Sequence, residues 1–325
     1  MRKVALFVFL TLLVSSCASR PFAGEKIEIE KSLYTNLPGG SGKIFAVKFD
    51  DTSDAHPQQG VESADVVYIT QVEAGLTRLM GIYSSNYPEV LGPIRSARIS
   101  DLSILGEYGR VGFVYSGAQS KLRSVISESN LINLSAERNP PSIYFNDPSR
   151  RSPYSMMVKP NLLIKKAADV ESAKKPGWQH GPRAKGAKKI ISAKINWPNA
   201  SYEAYWSAVE KRFLLKHNGR ENIASSGMHL GSTMMVIQIV KISPSEYGDK
   251  FGGVTPKSEV IGSGDGYLLR NQRVVKARWN RASLSEATTW SLEDGSPAYF
   301  APGQIWFFLT DIEPEFTYLP KPAKS

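Results

Sequence analysis

Apolar and polar positions change their rhythm twice along this chain. Val4 to Val14 is an unbroken apolar run preceded by Met1, Arg2 and Lys3, the charged start and short greasy stretch of a secretory signal over residues 1–16. The run falls short of the roughly 20 residues that a membrane-spanning helix needs. Residues 17–42 then mix charged and small side chains and end in Pro38-Gly39-Gly40-Ser41-Gly42, a composition that predicts a spacer.

From residue 43 to 169 strand-like and helix-like stretches alternate. Branched and aromatic residues predict strands at Lys43 to Phe49, Val66 to Val72, Arg78 to Tyr83 and Val111 to Tyr115. Glu73-Ala74-Gly75 forms a tight connection between the second and third. The spacing of Leu102, Ile104 and Leu105 predicts a helix over Ser100 to Gly109, and a second follows from Ala118 to Ser127. This is a mixed α/β domain. Residues 170–189 carry Lys174, Lys175, Arg183, Lys185, Lys188 and Lys189 among prolines and glycines, which predicts a flexible, solvated basic linker.

From 190 to 319 nearly every segment has strand character: Ile190 to Ile195, Arg212 to His217, Thr233 to Lys241, Tyr267 to Arg270, Val274 to Trp279 and Ile305 to Leu309. Turn signals separate them, notably Asn218-Gly219, Asp294-Gly295 and Pro302-Gly303. Gly262-Ser263-Gly264-Asp265-Gly266 has the composition of a phosphate loop but leads into a strand and lacks the lysine, so it is expected to be a turn. The expected class is α+β, an α/β domain followed by a mainly β domain built as a small barrel or sandwich.

Cysteine count sharpens the picture at the amino end. Cys17 is the only cysteine, and Leu13-Val14-Ser15-Ser16-Cys17 resembles the lipobox of bacterial lipoproteins, in which the thiol is lipidated. No intramolecular disulfide, zinc-thiolate site or cysteine nucleophile is then available. Two or more acyl chains, such as palmitate, hold a protein stably to a membrane. The expected location is lipid-anchored on the extracytoplasmic side of the cell membrane. The formal charge is +10, of which Arg2 and Lys3 carry two units. Such a surface is drawn to anionic lipids and wall polymers. Export and the lack of a nucleic-acid-binding signature exclude nucleic acid as the expected partner.

Candidate chemistry concentrates in the first domain, at Asp50, Asp51, Glu73, Thr77, Arg78, Arg95, Ser96 and Arg98. Arg95 and Arg98 precede a predicted helix. In its first turn they would share a face and, with the Ser96 hydroxyl, grip a phosphate or carboxylate. Alternatively they pair internally with Asp50, Asp51, Asp65 or Glu73. The carboxylates fit no known cation loop. His56, His180, His217 and His229 are scattered without a zinc motif, so no metal and no cofactor is expected and no histidine is given a role. Tyr115-Ser116-Gly117 lacks the flanking glycine of a serine nucleophile elbow.

Val47-Lys48-Phe49-Asp50-Asp51, Pro57-Gln58-x-Gly60, Ala64-Asp65-Val66-Val67-Tyr68, Glu73-x-Gly75-Leu76-Thr77-Arg78 and Gly92-Pro93-Ile94-Arg95-Ser96-Ala97-Arg98 together resemble the YerB-like lipoprotein family. The likeness continues through Ser116-Gly117-Ala118-Gln119 to Pro302-Gly303-Gln304-Ile305-Trp306. It implies an exported two-domain lipoprotein with no established activity. Three positions depart from the family's pattern: Asp51 stands for asparagine, His56 for arginine, and Tyr154 for a frequent histidine. Two functions follow as expectations. The first is non-catalytic binding or scaffolding in the cell envelope, directed at an anionic ligand, wall fragment or protein partner. The alternative is a hydrolase or transferase of envelope polymers using the carboxylates of Asp50, Asp51 or Glu73.

Overall fold

Branched and aromatic residues concentrate where the backbone is extended, and the computed structural model, which describes residues 29–249 and 252–320, is mostly sheet. The signal segment and Cys17 lie outside the described residues. The first half contributes β1 (Phe45–Asp50), β2 (Val66–Gln71), β3 (Thr77–Tyr83), α1 (Ile99–Leu105), β4 (Gly112–Val114), α2 (Ser120–Glu128), β5 (Ile132–Asn133), β6 (Tyr144–Asn146), β7 (Met156–Val158) and α3 (Pro160–Ile164). The second half begins with β8 (Lys188–Trp197), β9 (Ala200–Ser207), β10 (Arg212–His217), β11 (Arg220–Glu221), β12 (Gly231–Ser232) and β13 (Met234–Ile239). It continues through β14 (Ile242–Gly248), β15 (Val254–Ser258), β16 (Gly262–Arg270), β17 (Arg273–Arg281), β18 (Thr289–Leu292), β19 (Ile305–Thr310) and β20 (Glu315–Tyr318).

The two halves share one large mixed sheet, whose strands run β11-β10-β9-β8-β17-β16-β13-β19-β2-β3-β1-β4-β5. Strand β19, from the far end of the chain, lies parallel to both β13 and β2, with Phe307 opposite Val236 on one side and Tyr68 on the other. All six of its residues are buried, as a parallel strand covered on both faces requires. Alternate residues feed two cores. Trp306 and Phe308 join Phe49, Val67 and Ile237 on one face, while Ile305, Phe307 and Leu309 join Val66, Met80 and Val236 on the other. Strands β8, β9 and β10 fold over the first face with Ile195, Trp197, Phe213 and Leu215; α1 and α2 cover the second with Ile104, Leu105, Leu122 and Ile126. Each such side chain contributes roughly 1.5–3 kcal/mol on burial. Separating the halves would expose Trp306, Phe307 and Phe308 together.

Three expectations change. The basic segment 170–189 keeps its lysines and arginine in solvent, but its backbone is docked: Trp178 is buried and stacks on Phe300 at 5.6 Å, and Gly181 N–H donates to the Phe300 carbonyl at 3.2 Å. The spacer is shorter than expected, because Tyr34 is buried edge-on against Tyr108 at 5.5 Å and the Thr35 carbonyl accepts from Gly303 N–H at 2.8 Å. Gly262 to Gly266 belongs to β16 rather than a turn. A Cβ on Gly264 would stand 2.7 Å from Trp279 Nε1, and one on Gly266 2.8 Å from the Trp290 ring, so these glycines make room for indoles lying across the strand.

Candidate functional site

Asp50 closes β1 and faces Arg78 across the β1–β3 ladder. Its carboxylate lies 3.3 Å from Arg78 Nη1 and 2.9 Å from Arg95 Nε, and it accepts from the amide and hydroxyl of Thr52 at 2.9 Å. Glu73 receives Arg98 side-on, Nε at 2.7 Å and Nη2 at 2.9 Å, and also accepts from the Thr255 hydroxyl of β15. This contact ties the two halves together. Lys48 and Asp101 form a fully buried pair at 2.5 Å; burial pushes the Lys48 ammonium below its ordinary pKa, and Asp101 partly restores it.

The chain before α1 is extended, with Arg98 at φ −130° and ψ 159°, so Arg95 and Arg98 do not occupy a first helical turn. The Arg98 amide instead donates to Asp101 Oδ2 at 2.7 Å. Of the two roles left open for these arginines, internal pairing is what the side chains do, although Asp65 takes no part in it: its carboxylate accepts from the Ser84 and Ser85 amides at 2.6 and 3.0 Å. Ser96 Oγ lies 3.4 Å from the Ser116 hydroxyl. Arg95 keeps 28% of its side chain exposed and stands 6.0 Å over the Tyr154 ring. Buried against arginine, Asp50 and Glu73 are poor candidates for acid/base work.

Asp51, one residue on, has a different environment. It is 2% exposed, and neutral donors hold it: Thr77 Oγ1 at 2.6 Å, Tyr202 OH at 2.8 Å and Gln58 Nε2 at 3.3 Å. Its ion-pair partners are both histidines, His56 Nε2 at 3.3 Å and His217 Nε2 at 3.8 Å. Those two rings stack on each other at 4.7 Å with planes 9° apart. Burial acts to raise the Asp51 carboxyl, but charge on His217 and hydrogen bonds from His56 and Thr77 hold it at about 2. Burial pushes His217 below its ordinary value; Asp51 pulls it up and His56 pushes it down.

Sequence reasoning missed His56, His217 and Tyr202. The fold brings them together because β10 ends beneath the β1 terminus: His217 pairs with Tyr202 of β9, and the predicted Asn218-Gly219 turn, with φ of 48° and 78°, fixes where β10 stops. His56 arrives from the loop after β1. Asp51 and His56 thus meet His217 in one cluster. A cleft of about 570 Å³ opens beside His56, lined also by Asp54, Asp147, Ser149, Arg150, Arg151, Tyr154 and Ser225. A smaller one, about 250 Å³, is lined by Asp51, Thr52, Thr77, His217 and Asn218.

Comparison with known proteins agrees with this architecture. Residues 35–174 match the N-terminal domain, and residues 193–307 the C-terminal domain, of a family described as "Protein of unknown function (DUF3048)". A Bacillus subtilis (strain 168) protein named "Putative lipoprotein YerB" is 20% identical over 313 residues, 93% of each chain. The crystal structure of the YerB protein from Bacillus subtilis has the same fold, with a TM-score of 0.73 at 16% identity over 88% of this chain and 99% of that one. With both domains present and in order, the chain belongs to the DUF3048 family.

Proposed function

We propose that this protein is a lipid-anchored envelope lipoprotein that binds an anionic ligand, held on the extracytoplasmic side of the membrane through Cys17. The charged and apolar start, the lone cysteine and the name of the Bacillus subtilis relative support the anchor. No helix among the described residues is long and apolar enough to cross a membrane. Of the eight polar residues singled out in the sequence, Asp50, Arg78, Glu73 and Arg98 neutralise one another inside the protein, and the binding role passes to the surface beside Arg95.

One observation carries this. The cleft of about 570 Å³ has Arg151 at its rim with a side chain 85% exposed, 3.9 Å from its nearest carboxylate at Asp54. An exposed pair at that distance is worth little, so the guanidinium remains available for two-point contact with a phosphate or carboxylate. Arg150 frames the same cleft, with Nη1 donating to the Ala55 carbonyl at 3.0 Å and Nη2 to that of Pro57. Ser149, Ser225 and Tyr154 add hydroxyls to the lining.

A thermal-shift screen against inorganic phosphate, glycerol phosphate polymers and muramyl peptides tests the proposal, because a ligand of the native state raises Tm by mass action. The expected result is a shift with at least one anion that Arg151→Ala abolishes while leaving the unliganded Tm unchanged. No shift with any of them, or a shift indifferent to Arg151→Ala, refutes it.

A further inference from the structure

We infer that Asp51, His56 and His217 form a binding site for a divalent transition-metal ion of the zinc class. It goes beyond the anion-binding function and does not depend on it. One carboxylate and two imidazoles offer ligand atoms that all lie within 4.8 Å of one another. Around zinc bound at about 2.0–2.1 Å, neighbouring ligands of a tetrahedron stand about 3.3 Å apart. His56 Nε2 is already 3.3 Å from Asp51 Oδ1, and His217 Nε2 is 3.8 Å from Oδ2.

An independent observation points the same way. His217 is 6% exposed, and its Nε2 is buried without a hydrogen-bond partner. A buried polar nitrogen left unsatisfied destabilises a fold, and phenylalanine at this position would avoid the cost. The nitrogen faces a carboxylate beyond hydrogen-bonding distance, which is the geometry of two ligands awaiting an ion between them. Parallel stacking holds the two rings side by side at 4.7 Å, with both nitrogens turned to the same carboxylate.

The surroundings are those of a supported ligand set. Thr77 and Tyr202 fix both oxygens of Asp51, as partners behind metal ligands do. Asp50, Glu73 and Asp101 each pair with a lysine or arginine, whereas the ion pairs of Asp51 among the described residues are with the two histidines. Gln58 Nε2 lies 3.2 Å from His56 Nε2, the atom an ion would take, while its own Oε1 is buried without a hydrogen-bond partner; ion binding would displace this amide. Two nitrogen donors select zinc, cobalt, nickel or copper over calcium or magnesium. Three protein ligands leave a coordination position for water or a ligand donor, and the cluster lies where the two clefts approach each other.

The test is a Co²⁺ titration of the chelator-treated full chain in detergent micelles, read by visible absorption, with Zn²⁺ competition followed by calorimetry. One equivalent of Co²⁺ with d–d bands of low-coordinate nitrogen and oxygen ligation is expected, displaced by Zn²⁺. His56→Ala and His217→Phe should each weaken binding at least about 100-fold, while His180→Ala and His229→Ala bind like the native chain. Should His217→Phe fail to fold by circular dichroism, His56→Gln, at a partly exposed position, decides alone. Absence of stoichiometric Co²⁺ binding, or unchanged affinity in the His56 variants, overturns the inference.

Discussion

Asp50 and Asp51 are neighbours in the chain, both buried, and they differ in what holds them. Asp50 lies between the guanidinium groups of Arg78 and Arg95. Asp51 is surrounded by hydroxyls, an amide and two imidazoles. A carboxylate flanked by fixed cations is part of the scaffold, since neither charge can leave water without the other. One held by neutral donors keeps its charge without a fixed cation beside it. The polar cluster that looks uniform in the sequence is therefore two regions, one neutralised by arginine and one held by neutral donors and histidines.

Removing the charge on each side is the strongest way to break that distinction. Asp50→Asn leaves Arg78 and Arg95 facing an amide in a buried site, and breaking such a pair costs about 3–5 kcal/mol. Urea denaturation near neutral pH should show a loss of that size. Burial already lowers the Arg78 pKa, with Asp50 acting to raise it, so Arg78 is the charge left most exposed to the change. A loss below about 1 kcal/mol would mean that Asp50 is not a structural ion and that the two regions are alike.

Acid sharpens the comparison with a smaller effect. The Asp51 carboxyl is held at about 2 in the folded chain against an ordinary 3.8. A depressed carboxyl contributes stability that is fully present above its unfolded value and is lost as pH falls from about 4 through about 2. For a shift of this size the contribution is about 2 kcal/mol. Subtracting the acid-denaturation profile of Asp51→Asn from that of the native chain should recover this step. A difference flat across the window would mean that folding does not depress the Asp51 carboxyl.

How far such differences can be read in a sequence depends on the range of the interactions that create them. Local pattern was enough for β10, predicted over the residues it occupies, and for the Asn218-Gly219 turn that ends it. It was enough to single out Asp50, Arg78, Glu73 and Arg98, because carboxylates and arginines at strand ends are chemically conspicuous. The apolar run of β19 announced a strand, but its partners are set by packing at long range. The two expected domains therefore share one sheet, with β19 as its seam. Gly262 to Gly266 looked like a turn because the indoles that occupy the space above Gly264 and Gly266 come from other strands. Nothing local joins His56 to His217. Only the folding of β8 to β10 over the sheet does so.

His217→Phe should have the smallest effect on stability, and for that reason it is the most discriminating. A structural histidine in a core donates or accepts a hydrogen bond, and its loss would cost that bond. Here Nε2 has no hydrogen-bond partner, the ring packs between His56 at 4.7 Å and Tyr202 at 4.9 Å, and phenylalanine preserves that packing. The change in stability at neutral pH should stay within about 1 kcal/mol, as for other near-isosteric replacements in a packed site. Below neutrality the sign is defined by His217 itself: burial lowers its pKa, so it contributes stability above its unfolded value that is lost as pH falls through the imidazole range. The variant should lack that slope and become the more stable chain in mild acid. If His217→Phe instead costs several kcal/mol at neutral pH with the slope unchanged, the imidazole is part of the closed scaffold, and the contrast between the two aspartates is one of degree.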